Sequence, residues 1–302
     1  MSVLVVGSVA LDNVETPFGK VEDSLGGSAT YFATAASAYA PVRLVAVVGH
    51  DFPRAHVEYL QSRGVDTAGL EIADGKTFRW AGRYDYDLNV THTLDTQLNV
   101  FADFHPKLPD SFKDSEIVFL ANIDPDLQFE VLRQVPRPQL TMMDTMNFWI
   151  QGKRDSLIRT IRAVDVVTMN ESEVRMFAGT SSLLVGARRI LELGPKALIV
   201  KKGESGAVLF SHASYFVAPA YPLEEVKDPT GAGDTFAGGF LGYLAKCGDM
   251  SPANIRRAVV HGSVVASFTV EDFSIGRLRT LREEEIAARY QEFKHFTHFE
   301  AL

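Results

Sequence analysis

The sequence predicts an α/β sandwich with a small β-sheet inserted outside its main rhythm. Short runs that are apolar throughout, such as Val3-Leu4-Val5-Val6 and Leu44-Val45-Ala46-Val47-Val48, recur between helical stretches. Such runs are strands buried on both faces, the habit of parallel sheets covered by helices. Over residues 70–100 the texture changes: Lys76-Thr77-Phe78-Arg79-Trp80-Ala81-Gly82-Arg83-Tyr84 alternates, as a strand with one solvated face does.

Composition narrows the function. The chain has 302 residues, 46% of them hydrophobic, enough for one large α/β domain. We expect a single domain over 1–302, because no repeat, low-complexity tract or linker interrupts it. A formal net charge of −8 argues against nucleic acid and anionic membranes as partners. Cys247 is the only cysteine, which excludes an internal disulfide and a cysteine metal site. No run approaches the ~20 apolar residues of a membrane span, and no leader pattern opens the chain, so a cytoplasmic location is expected.

In order, the first strand ends in Gly7-Ser8-Val9-Ala10-Leu11-Asp12, which puts Asp12 just beyond its carboxyl end. Ligands of open parallel sheets bind there, although a turn residue would look the same. Residues 13–24, broken by Pro17 and Gly19, read as a short hairpin. Gly26-Gly27 then opens a helix through Ala38, with Ser28 as its cap. A helix over His56–Arg63 follows the strand at 44–49. Residues 76–84, and a partner strand from Asn89 to Leu94, join the 13–24 hairpin as a lid. Strands return at 117–121, 139–144, 164–169 and 197–200, with a further strand ending at Phe210. Helices are expected near Pro125–Gln134, over Ile255–Val270 and over Arg282–Lys294.

The chemistry concentrates in Asp228-Pro229-Thr230-Gly231-Ala232-Gly233-Asp234-Thr235-Phe236. The glycines allow a tight turn, and the small apolar run after it reads as a buried helix stopped by Gly248. A glycine turn feeding a helix N-terminus offers N–H donors and a positive dipole end to a phosphate. Asp234 at that mouth is a candidate base, expected to be held ionised by the first helical turn. A capped, glycine-hinged helix without chemistry is the plain alternative. No Gly-X4-Gly-Lys-Ser/Thr loop and no Gly-X-Gly-X-X-Gly fingerprint are present, so phosphates need another cradle.

This run resembles the signature of the PfkB/ribokinase family of ATP-dependent kinases, and the resemblance covers nearly the whole chain. It implies a ribokinase-like three-layer α/β/α sandwich whose lid, roughly residues 13–24 and 76–95, closes over substrate. It implies transfer of the γ-phosphoryl of ATP to a hydroxyl, most often a primary one, of a sugar or sugar-like acceptor. A nucleoside kinase is the alternative reading. ATP and Mg²⁺ are the implied cofactors, with room for a monovalent cation, and the lid also offers a homodimer interface. By the same resemblance Asp234 is catalytic, and Gly231, Ala232 and Gly233 form the anion hole. Lys202, Gly203, Gly206, Thr230, Gly262 and Ser263 contact ATP. Asp12, Gly27, Tyr31, Asn122 and Asp144 contact substrate, and Asn170, Glu173 and Asp228 serve the metal. The segment Asn170-Glu171-Ser172-Glu173 is similar to the family's Asn-X-X-Glu motif, and Gly203-Glu204-Ser205-Gly206 to its Gly-X-X-Gly turn. Taken alone, the first reads equally as an acidic helix start. Many sugar and nucleoside kinases of the family carry Asn where this chain has Tyr31, which separates it from a ribokinase-type contact set. Two rivals remain. A silent nucleotide- or sugar-binding regulator would not need Asp234, and a dinucleotide-dependent oxidoreductase would need a fingerprint.

Overall fold

The computed structural model describes residues 1–88, 90–298 and 300; Asn89, placed in the lid by its sequence, lies outside them. Among the described residues thirteen strands form in chain order. The first seven are β1 (Val3–Val6), β2 (Ala10–Thr16), β3 (Gly19–Gly26), β4 (Val42–Gly49), β5 (Val65–Ala73), β6 (Arg79–Tyr84) and β7 (Thr91–Gln97). The others are β8 (Ile117–Leu120), β9 (Leu140–Asp144), β10 (Val166–Asn170), β11 (Ala197–Lys201), β12 (Ala207–Ser211) and β13 (Tyr215–Ala218). They build a nine-stranded sheet in the order β13-β12-β11-β10-β9-β8-β1-β4-β5 and a four-stranded one in the order β3-β2-β6-β7.

The large sheet is parallel from β5 to β11, with β12 and β13 added antiparallel. Its apolar runs divide by parity. Val3 and Val5 join one core with Phe32, Phe240 and Val264 of helices Ser28–Ala36, Ala232–Cys247 and Pro252–Thr269. Leu4 and Val6 join a second core with Val131, Leu157, Val174 and Ile190 of helices on the other face. Period-two projection thus makes three layers from runs that look uniformly apolar. From β1 the chain builds outward first to β4 and β5, then the other way through β8. The β1/β8 boundary is therefore a topological switch point, where α/β sheets hold ligands at their carboxyl ends.

Two expectations change. Asp12 belongs to β2, within the small sheet, because the chain re-pairs with β3 and β6 soon after leaving β1. Ser28 is the first helical residue and not the cap. Gly27 is the cap, at φ 92°, and Ser28 exchanges hydrogen bonds with Ser8. The edge strands β5 and β13 had no reading as strands: β5 mixes polar and apolar residues without clean alternation, and β13 is a run of only four residues.

The lid is pinned at its base. Asp51, just past β4, accepts from the Thr77 N–H and hydroxyl, both at 2.7 Å, and from Arg79 at 3.2 Å. The parallel pairing of β2 with β6 sets Asp12 opposite Trp80, so both project from one face of the small sheet.

Candidate active site

Gly231 takes φ 75° and caps helix Ala232–Cys247, whose far end closes on Gly248 at φ 67°. A side chain at Gly231 would overlap the Tyr31 ring as well as strain the backbone, so both reasons require glycine here. The N–H of Ala232 donates to Pro229 O at 3.2 Å. The expected three-membered anion hole therefore loses Ala232, whose donor closes the turn. The N–H groups of Gly231 and Gly233 have no acceptor among the described residues. A Cβ at Gly233 would stand 2.9 Å from Lys201 Nζ, so an ammonium, not open space, lies beside that glycine.

Asp234 sits half-buried in the first turn of this helix. Burial, then the nearby Asp144 carboxyl, push its pKa up to about 8, while Lys201 and its own N–H pull the other way. The expectation that the first helical turn would hold it ionised is thus not met: burial outweighs Lys201 and the N–H donor. A carboxyl poised near neutrality suits a general base.

Lys201, at the end of β11, reaches Asp144, at the end of β9, at 2.8 Å. Burial would lower the Lys201 pKa, but Asp144, Glu173 and Asp234 outweigh it and raise it. Sequence reasoning named Lys202 and missed Lys201. Strand alternation admits one inward lysine of the two, and register with buried Val200 and Ile199 was not enough to choose. Asn170 and Glu173 form a reciprocal capping box at 2.7 and 2.8 Å, opening helix Glu171–Ala178. Burial raises the Glu173 pKa to about 7, Lys201 opposing and Asp144 adding to the rise. Three carboxyls thus gather round one ammonium, an oxygen donor set of the kind a hard divalent cation takes. Among the described residues no three acidic, His or Cys side chains converge as a metal cage. Mg²⁺ needs none, since it keeps waters and takes phosphate oxygens.

A second cluster lies on the lid side. The Gly27 N–H donates to Asp12 Oδ2 at 3.3 Å, and a side chain at Gly26 would overlap that carboxylate. Burial raises the Asp12 pKa to about 7, with Asp228 adding to it. Tyr31 is 2% exposed, and its hydroxyl has no hydrogen-bond partner among the described residues. Its neighbours in charge are Asp12, Asp228, Tyr84 and Asp234. Asp228 was expected at the metal. Its oxygens instead accept from the Thr230 N–H at 2.9 Å and the Ser274 N–H at 3.3 Å, making it the brace of the turn.

Other assignments also move. Asp144, expected at the substrate, ends a strand two positions along the sheet from β1 and accepts from Lys201. Asn122 Oδ1 accepts from Trp149 Nε1 at 3.1 Å. Gly262 lies where helices Ala232–Cys247 and Pro252–Thr269 meet, and a Cβ would come within 2.8 Å of Phe236 O. Helix packing accounts for that glycine, and Ser263 beside it is buried. Gly203 and Gly206 take φ 55° and 85° around a short 3-10 turn, where the Lys202 N–H donates to Gly206 O at 2.8 Å. Phe78, just before β6, stacks on Phe101 at 5.3 Å.

The family model for pfkB family carbohydrate kinases matches residues 2–278. The chain belongs to that family. A cytidine kinase of Thermococcus kodakarensis is 31% identical over 249 residues, 80% of this chain and 88% of that protein. The fold resembles the nucleoside kinase of Methanocaldococcus jannaschii, an archaeal member of the ribokinase family. Its TM-score is 0.79 at 22% identity, covering 96% of this chain and 98% of that one. It also resembles a Burkholderia thailandensis nucleoside kinase solved with inosine, at TM-score 0.77 and 21% identity, covering 99% and 100%. This pfkB kinase is accordingly a phosphotransferase with an alcohol acceptor, and ATP is the donor its family uses. Among the described residues no helix is long and apolar enough to cross a membrane.

Proposed function

We propose that the acceptor is a nucleoside, phosphorylated on a ribose hydroxyl. The observation that carries this is Trp80: its indole lies over Gly82 on the lid face it shares with Asp12. An aromatic plane beside a hydroxyl-binding carboxylate matches a base joined to a ribose, and the cytidine kinase relative points the same way. Asp12 and Gly27 hold ribose hydroxyls, with the unpartnered Tyr31 hydroxyl beside them. Asp234 takes the proton of the attacking hydroxyl. The Gly231 and Gly233 N–H groups, the helix N-terminus and Lys201 receive the charge that develops on the phosphoryl oxygens. Glu173 and Asn170 would hold Mg²⁺, whose charge when bound would offset that of the phosphates. The 202–206 turn, with Thr230, borders the nucleotide.

A free compact sugar is the second reading, favoured by the Tyr31 ring filling the space over Gly231. Trp80→Ala, assayed against nucleosides and sugars, separates the two. Base stacking is worth about 1–3 kcal/mol, so kcat/KM for the preferred nucleoside falls about 5–150-fold while sugars are spared. Equal small losses on every acceptor would sink the nucleoside reading. The β7 edge, exposed along its length with Leu94 at 56%, is where a second copy would add, which light scattering tests.

A further inference from the structure

We infer that Gln128 is a positioning residue, the amide that fixes the carboxyl ends of β8 and β9 and through them the Asp144–Lys201 pair. The inference rests on the phosphoryl-transfer site just described but not on the choice of acceptor.

Gln128 sits in helix Pro125–Gln134 and is 1% exposed. Its Nε2 donates to Ala121 O at 2.9 Å, Asp144 O at 2.9 Å and Leu120 O at 3.3 Å. The β8–β9 ladder ends at Leu120 and Met143, so two of these carbonyls lie past the last strand pair. The side chain continues the ladder into the crevice. Its Oε1 is buried without a hydrogen-bond partner among the described residues. A neutral group with donors alone cannot be built from the natural side chains of this length; the orphan oxygen accompanies the donors.

The helix that carries Gln128 is itself held. Lys153 reaches Asp124 at 2.6 Å and Asp126 at 2.8 Å, and the Thr160 hydroxyl donates to Pro125 O at 2.8 Å. The amide is thus presented from a fixed frame. Asp144 takes its backbone position from Gln128, and its carboxylate accepts from Lys201 at 2.8 Å and from the Thr145 N–H at 2.9 Å. Lys201 Nζ lies against Gly233, and Asp144 and Lys201 both set the charge state of Asp234. Three carbonyls released at the ends of β8 and β9 would move this chain of contacts, and displacement of about 1 Å costs reacting groups about 100-fold.

Gln134 on the same helix supplies the control. It also clamps backbone, donating to Pro106 O at 2.8 Å and accepting from the Leu108 N–H at 3.0 Å, but it makes no contact with the cluster. Gln128→Met, Gln128→Asn and Gln134→Met are compared by melting temperature and by steady-state kinetics on whichever acceptor the wild type uses. Gln128→Met should lower kcat about 10–100-fold, with KM for the acceptor within about threefold, and Gln128→Asn should fall between it and wild type. Gln134→Met should lose stability and keep kcat. Added to Asp144→Asn, Gln128→Met should cost no further activity, since both act through one contact. If Gln128→Met does not fold, Gln128→Asn carries the comparison. The inference is overturned if the folded Gln128 variants lose no more kcat than Gln134→Met, or if their losses multiply with that of Asp144→Asn. A wild type that accepts sugars but no nucleoside would overturn the proposed substrate and leave this comparison readable.

Discussion

The Thr230 hydroxyl donates to the Tyr84 hydroxyl at 3.1 Å, joining the end of lid strand β6 to the turn that precedes the catalytic helix. The same Thr230 is braced from below by Asp228, so the lid end and the Gly231 turn share one support. β6 is thus held near its start by Asp51 and at its end by Thr230, and if the small sheet closes over substrate, the Tyr84 contact is the one that closure would make or break. Tyr84→Phe removes one hydrogen bond, worth about 0.5–1.5 kcal/mol, and should cut kcat/KM about 2–13-fold. Amide exchange over residues 79–84 should speed up in the variant and slow in the wild type when acceptor and an ATP analogue bind. Identical exchange in both proteins would show that the contact does not hold the lid.

Asp234→Asn should abolish the general-base contribution, about 10²–10⁴-fold in kcat, while the ATP analogue still binds. Because burial and Asp144 raise the Asp234 pKa to about 8, the base is partly protonated at neutral pH in the free enzyme. Wild-type kcat/KM should therefore rise with pH up to about 8 and level off above it. A variant retaining a tenth of wild-type turnover, or a profile flat between pH 6 and 9, would remove Asp234 from that role.

The two anion-turn glycines should fail differently. Gly231→Ala forces a side chain into the Tyr31 ring at φ 75°, so stability and activity fall together. Gly233→Ala meets only the Lys201 ammonium, the end of a long side chain, at 2.9 Å. It should fold by circular dichroism yet lose turnover as Lys201 is pushed off Asp144. A folded, fully active Gly233→Ala would show that Lys201 need not stand where it does.

Which of these features the sequence disclosed follows from the range of the forces involved. The buried strands, the Pro125–Gln134 helix and the small inserted sheet were legible because periodicity is local, and so was the Gly231–Asp234 turn, whose constraint is local too. Partner choice was not legible. Asp144 and Asp228 are both carboxylates flanking plausible ligand positions, but β9 lies two strands from β11 and Lys201 reaches across β10 to Asp144, while the 228–230 loop folds onto Ser274. Lys201 and Lys202 differ only in which side of a strand they leave. Gln128 carries no sequence signal at all, since its three acceptors come from segments brought together by the sheet. The pKa of Asp234 also needed the fold, because burial depends on what covers the site.

Away from the site, His261 gives the protein a second pH dependence. Its ring is stacked between Tyr243 at 4.1 Å and Tyr290 at 4.4 Å, and its Nδ1 is 3.1 Å from the Tyr39 hydroxyl. Burial, helped by Lys246, lowers its pKa from the ordinary 6.5 to about 4. The unfolded chain binds a proton at this histidine below pH 6.5, and the folded chain does so only near pH 4. The stabilisation is thus complete above pH 6.5 and is lost as pH falls through this window, by at most about 3 kcal/mol. Phenylalanine keeps the stack and cannot be protonated. His261→Phe should be less stable at pH 7, where the Tyr39 hydroxyl loses its acceptor, and should lose less than the wild type between pH 6.5 and 4. Denaturant unfolding of both proteins at several pH values measures this. Parallel curves across the window would mean that His261 is as readily protonated in the fold as out of it.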